Sequence, residues 1–275
     1  MKKVYLPLLL FTGIVFAISG RAEGLTAPVN VIAFQQIPYG LIFTDIGVNG
    51  TPLLAMIDIG DQQTFQLATA VAGKLGLPLN KTGYQATNIN GDIMDVYQGK
   101  VASLSLGTNT ITDMPFTTSP GDIEAVAEQI ATDFSAVIGW GYLKDYIVEL
   151  DYVNSVIRLH NDLPATFKPT MSEAYSDTSG PLILPVLING EVQRVMLNTG
   201  ATVSVFDPKQ VEMNEDNPIE FALNGRLLSL TGYEMDLSVL SDLGIVGILG
   251  SDFLNQYKVV INPKSHKMHF LAYDE

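Results

Sequence analysis

The apolar positions of this chain fall in short runs that come in pairs, and the pairs are joined by Asn-Gly. Leu41–Val48 is apolar and rich in strand-favouring residues, Asn49-Gly50 is the strongest short hairpin signal, and Leu53–Ile57 runs back as a buried strand. The same order returns as Leu182–Ile188, Asn189-Gly190 and Val192–Leu197. Two more Asn-Gly turns, Asn90-Gly91 within Tyr84–Tyr97 and Asn224-Gly225 within Phe221–Leu230, predict hairpins that are candidates to lie over a cleft. Val71–Leu77 predicts a short helix ended by Gly76 and Pro78, and Asp122–Thr132 a helix or ordered loop. The polar stretch Asn161–Gly180, with its prolines and serines, reads as a linker.

The paired runs are halves of an internal repeat. At an offset of 140, Asn49-Gly50 falls on Asn189-Gly190, Met56 on Met196, Ile57 on Leu197, Asp58 on Asn198 and Gly60 on Gly200. At an offset of 111, Gly139 meets Gly250, Tyr142 meets Phe253, Leu143 meets Leu254, Tyr146 meets Tyr257 and Asp151 meets Asn262. The offsets differ by 29, so the first copy carries that many extra residues between its two blocks, with Asp122–Thr132 expected among them. The expected division is a leader over 1–22, a first lobe over 23–160, a linker over 161–180 and a second lobe over 181–275.

The leader is read from Lys2 and Lys3, the 15-residue apolar run Val4–Ile18, and the small residues up to Ala22, which is the grammar of a secretory signal. The run is shorter than the roughly 20 residues that cross a bilayer, although an uncleaved anchor stays open as the alternative. A periplasmic or secreted protein with no later membrane span is expected. Composition then narrows the chemistry. Of 275 residues, 29 are acidic against 15 basic, giving −14, and removing residues 1–22 takes away Lys2, Lys3 and Arg21 and no acid, leaving −17. Such a chain repels phosphate backbones, so nucleic acid is excluded as a partner. There is no cysteine, which removes thiol catalysis, disulfides and thiolate metal sites. The three histidines, His160, His266 and His269, are too few and too scattered for a triad or a multi-histidine metal site, so no metal and no cofactor is expected.

The candidate chemistry sits where the paired strands end. Asp58 follows a buried apolar run and Gly60 follows two residues later. Burying a lone carboxylate is costly, so it needs donors or a shared proton, and glycine permits a turn that offers backbone N–H groups. The arrangement makes sense when two such turns face each other, one group acting as base on water and the other donating to the scissile carbonyl. A strand-end or capping aspartate is the plainer alternative for Asp58.

These residues resemble the aspartic peptidases, in particular the retropepsin-like family, in a two-lobed, pepsin-like arrangement spanning residues 35 to 272 of one exported bacterial chain. The family pattern is an apolar pair, Asp-Thr-Gly-Ala, a Ser or Thr three residues on, and later an apolar pair and Gly. The second copy reads Met196-Leu197-Asn198-Thr199-Gly200-Ala201 with Ser204 and Ile248-Leu249-Gly250. The first reads Met56-Ile57-Asp58-Ile59-Gly60-Asp61 with Thr64 and Val137-Ile138-Gly139. The resemblance implies a mainly β fold, tandem retropepsin-like β-barrel lobes forming a pepsin-like acid-protease pseudo-dimer. It implies Asp58 and Asn198 as the catalytic pair, Gly60, Thr199 and Gly200 around the substrate, and a peptide or unfolded polypeptide as partner.

Three departures bear on activity. Asn198 stands where the second aspartate belongs and cannot store the shared proton; Ile59 lacks the hydroxyl that braces the pair; and Asp61 replaces a small residue, which makes it a candidate substitute carboxylate. The expectation is a peptidase working weakly through Asp58, with a pseudo-peptidase that binds extended peptides without cutting them as the alternative. A pairing of two chains through two Asp58 turns is disfavoured, because the internal repeat already fills each chain's partner face and makes a monomer. Tyr84 and Tyr97 are candidate cleft-covering aromatics, and the two apolar-Gly motifs read as structural.

Overall fold

The structure, a computed structural model, describes residues 25–37, 40–87, 93–213 and 218–273. The expected leader, 1–22, and the Asn90-Gly91 turn lie outside the described residues. The chain is mainly β and builds two retropepsin-like lobes around a pseudo-two-fold axis, as a pepsin-like pseudo-dimer. In the first lobe, strands Ile42–Val48 and Thr51–Asp58 form the predicted hairpin, and its turn residues Asn49 and Gly50 sit at φ 50° and 82°. Both are left-handed, which is why Asn-Gly is found there. Thr51–Asp58 continues parallel to Ala136–Gly139, and the order then runs through Phe65–Leu67, Asn109–Thr118 and Ile93–Leu106. Ile93–Leu106 pairs back onto Ile42–Val48, with Ile46 opposite Leu106, closing a six-stranded barrel around Val48, Ile57, Phe65, Leu104 and Phe116.

The second lobe repeats the hairpin as Ile183–Ile188 and Glu191–Leu197, parallel to Ile245–Leu249, with Val205–Phe206 beyond. Its Ile219–Leu223/Arg226–Leu230 hairpin, turning at Asn224-Gly225 as predicted, pairs with Ile183–Ile188. This sheet is open.

A third sheet of six strands joins the lobes. Ile147–Asp151 of the first copy pairs antiparallel with Tyr257–Asn262 of the second, and Glu149 faces Val260, its own equivalent at the 111 offset. Val148 faces Ile261 and Leu150 faces Val259, which is the same pair with its members exchanged. Equivalent residues face each other across antiparallel strands only where the symmetry axis passes between them. At the sheet's edges, Asn30–Ala33 pairs with Val156–His160, and Met171–Ala174 pairs with Lys267–Ala272 in the corresponding register. The stretch 161–180, expected as a linker, therefore holds the second copy's counterpart of the first copy's edge strand.

The extra residues of the first copy fall elsewhere than expected. Equivalent residues are 140 apart at Gln66 and Phe206, 117 apart at Leu104 and Phe221, and 111 apart at Gly139 and Gly250. Most of the excess thus lies in Asn80–Thr87 and the first part of Ile93–Leu106, which have no counterpart among the described residues of the second lobe, whereas the end of Ile93–Leu106 corresponds to Ile219–Leu223. The helix at Asp122–Gln129 forms, but the second copy keeps a 3-10 helix, Ser238–Leu243, at the corresponding place. The expected helix near Val71–Leu77 spans Thr69–Lys74, and Gly76 follows it at φ 64°. Among the described residues no helix is long and apolar enough to cross a membrane.

Phe253 ties the second lobe to the shared sheet. It is buried, with its ring centroid 6.0 Å from Phe221, 5.7 Å from Tyr257 and 5.8 Å from Phe270. Phe253→Ala is expected to lower stability by about 3–5 kcal/mol in denaturant unfolding, whereas Tyr84→Ala, at a 76%-exposed position, should change it by less than about 0.5 kcal/mol.

Candidate active site

Both turns leave the ends of central strands. Asp58 ends Thr51–Asp58 opposite Gly139, and Asn198 follows Glu191–Leu197, its N–H donating to the Leu249 carbonyl at 3.0 Å. The returning chain passes directly beneath each turn. A Cβ on Gly139 would come 2.1 Å from the Gln63 carbonyl oxygen, and one on Gly250 would come 2.7 Å from that of Val203. The two apolar-Gly motifs are structural for this reason: only glycine lets the chain pass. Immediately beyond them, the Trp140 N–H donates to the Asp61 carbonyl at 2.7 Å and the Ser251 N–H to the Ala201 carbonyl at 2.9 Å, the same bond in both lobes.

The turns meet across the axis. Within each, the glycine N–H donates to the leading side chain, Gly60 to Asp58 Oδ1 at 2.7 Å and Gly200 to Asn198 Oδ1 at 2.6 Å. Between them, each glycine backs the opposite side chain. A Cβ on Gly60 would lie 2.5 Å from Asn198 Cγ, and one on Gly200 would lie 2.5 Å from Asp58 Oδ2. Thr199 is fully buried and its hydroxyl bridges the turns, donating to the Ile57 carbonyl at 2.9 Å and accepting from the Ile59 N–H at 3.0 Å. The reciprocal hydroxyl is absent because Ile59 is buried there. Asp58 and Asn198 are thus brought to one centre with Gly60 and Gly200 behind them, while Thr199 spends its hydroxyl on the brace and offers none to a substrate.

Sequence reasoning missed a second support. Ser204 Oγ donates to Asp252 Oδ1 at 2.7 Å and accepts from the Gly250 N–H at 3.0 Å. At the offset of 111, Asp252 falls on Gly141, so the repeat itself flags a carboxylate that only the second lobe carries.

The electrostatics centre on Asp58. Burial, and then the nearby Asp61 carboxylate, push it up to about 6, against the opposing pull of backbone N–H donors at Gly60, Asp61 and Gly200. Asp61 is itself raised by burial, with Gln63 N–H at 2.9 Å on Oδ1 and Gln66 Nε2 at 2.6 Å on Oδ2 pulling the other way. Those two donors occupy both oxygens of Asp61, which sits near Asp58 on the same turn, and the position across the axis is held by Asn198. Asp122, at the start of its helix, is raised by burial and by Asp61 and Glu124. Asp58, Asp61 and Asp122 line a cavity of about 150 Å³, a convergence that no spacing along the chain reveals.

The remaining candidates make no hydrogen bond to Asp58 or Asn198 among the described residues. Tyr84 is exposed on the first-lobe hairpin and Tyr97 is half-buried opposite Lys81 and Thr118. His160 is bonded to Glu149 and to the Thr26 carbonyl, His269 to Ser172, and His266 lies beside Asp177. Among the described residues no three histidine or carboxylate side chains are grouped to hold a metal ion.

A family model described as aspartyl protease matches residues 44–131, a stretch that contains the Asp58 turn, and supports an aspartyl protease family. No curated protein matches the chain.

Raising Asp58 has a thermodynamic cost with a definite sign. Between about pH 4 and 6 the folded chain keeps a proton that the unfolded chain releases, so the stability contributed at low pH is lost as pH rises through about 6. Asp58→Asn should therefore raise stability at pH 7 by about 2–3 kcal/mol and flatten the fall in unfolding free energy between pH 4 and 6. Thr199→Val, which leaves the Ile57 carbonyl and Ile59 N–H without a partner, should cost about 1–3 kcal/mol in the same measurement.

Proposed function

We propose that this protein is an exported aspartic-type peptidase relative that hydrolyses peptide bonds weakly through a water activated at Asp58. The observation that carries the reading is the mutual backing of the two turns, which brings Asp58 and Asn198 to one centre between two lobes. A carboxylate pushed up to about 6 is a competent base near neutrality. It takes a proton from water as the oxygen attacks the carbonyl carbon, and returns it to the leaving nitrogen as the carbon–nitrogen bond breaks. Asn198 Oδ1 is occupied by the Gly200 N–H, which leaves the Nδ2 hydrogens to polarise the carbonyl oxygen. Asn198 cannot deliver a proton, and that is the physical ground for weak turnover.

In this reading residues 23–160 and 181–275 form the two lobes, joined through 161–180 and each carrying one turn, in a monomeric chain delivered by residues 1–22 to the periplasm or the exterior. A second reading is favoured by Asn198 and Ile59 together: a cleft that holds an extended peptide without cutting it.

The test is cleavage of an unfolded protein substrate from pH 3 to 8. Wild type should cut slowly or not at all, with residual activity falling as pH drops through about 6, where Asp58 becomes protonated. Asn198→Asp should raise the rate by roughly 10²-fold or more, and Asp58→Ala should abolish it. Fast, pepstatin-sensitive cleavage by the wild type would refute weak turnover. A flat response to Asn198→Asp, with peptide still bound, would favour the non-cutting cleft.

A further inference from the structure

We infer that the cavity beside Asp58 receives a lysine or arginine side chain of the bound polypeptide, so that the cleft selects basic peptides. This deepens the peptide-cleft reading and rests on it. Asp58 forms part of the cavity wall, so a chain laid across the catalytic centre delivers one side chain into it. The volume, about 150 Å³, suits a single long side chain. Most of the wall is apolar: Met56 and Val137 are cross-strand partners, Ile123 and Val126 share one face of a helix, and Phe134 completes it. Such a wall suits the methylene stem of a basic residue, whose charged end then needs an anion.

Two carboxylates besides Asp58 supply it. Asp61 is fixed by two neutral donors, Gln63 N–H and Gln66 Nε2, and Asp122 opens the helix at the far side. Among the described residues no lysine, arginine or histidine pairs with Asp58, Asp61 or Asp122, although such pairs form elsewhere in the chain. Burial pushes all three carboxylates upward, so their negative charge is held at a cost that an entering cation relieves. The feature belongs to one lobe only. In the second copy Ala201 stands in place of Asp61, and the 3-10 helix Ser238–Leu243 has no acid in its first turn. An apolar wall that ends in carboxylates fits an organic cation carried on an apolar stem. A net charge of −14 draws the same class of ligand to the surface.

The test uses the full-length protein at pH 7.5 and a fluorescein-labelled, extended octapeptide series. At each position in turn lysine is exchanged for norleucine, which keeps the stem and removes the charge, and binding is read by fluorescence anisotropy. At one position lysine should bind roughly tenfold more tightly than norleucine, and the ratio should shrink as salt is raised. Asp122→Asn and Asp61→Asn should each bring that ratio to within about threefold, and Asp122→Glu should restore part of it. Equal binding of lysine and norleucine peptides at every position overturns the cation pocket and leaves the peptide cleft standing. Failure of every peptide to bind removes both.

Discussion

Everything at the centre of this molecule depends on two turns that cannot be built separately. Gly60 has no room for a side chain because Asn198 fills it, and Gly200 none because Asp58 does. Thr199 then fastens the first turn from inside the second, through Ile57 and Ile59. Each lobe therefore supplies part of the wall around the other's turn, and the geometry of Asp58 is set by residues about 140 positions away. The lobes share a sheet for the same reason: strands paired across the axis fix their relative position, and the turns need that position to within a fraction of an ångström.

The first lobe carries the carboxylates that gather at the centre. Its turn has the carboxylate, its barrel is closed, and among the described residues it alone extends that barrel with the hairpin strand Asn80–Thr87. The second lobe has an open sheet, a neutral side chain at the centre, and the extra Ser204–Asp252 support beneath it. Asymmetry of this kind lets one half be optimised for placing a group and the other for holding it. The upward displacement of Asp58, Asp61 and Asp122 belongs to the same division, since three carboxylates crowd one side of the centre while the opposite turn brings none.

Much of this could be read from residue order. The Asn-Gly turns were legible because left-handed backbone at two successive positions restricts the chemistry to very few pairs, and the repeat exposed Asp58, Asn198, Gly60 and Gly200 as corresponding positions. What escaped depends on contacts between distant segments. The edge strand Met171–Ala174 looks like linker because half its neighbours are polar, and only its register against Lys267–Ala272 reveals its role. The location of the extra residues could not be deduced from two offsets; it needs the intermediate one, which strand pairing supplies. Asp122 sits on a short helix with no sequence relation to Asp58, so its arrival at the same cavity is a product of folding alone.

The residue lying on the symmetry axis carries a historical implication. Glu149 faces Val260, and its carboxylate is bonded to Arg158 at 3.0 Å and to His160 Nε2 at 3.0 Å, with Lys258 of the second half at 3.8 Å. Two first halves brought together as separate chains would set glutamate against glutamate on neighbouring strands, with Ile147 standing where Lys258 now helps to neutralise the pair. The fusion has thus become one-way for the first half: its seam strand now needs an unlike partner and no longer matches itself.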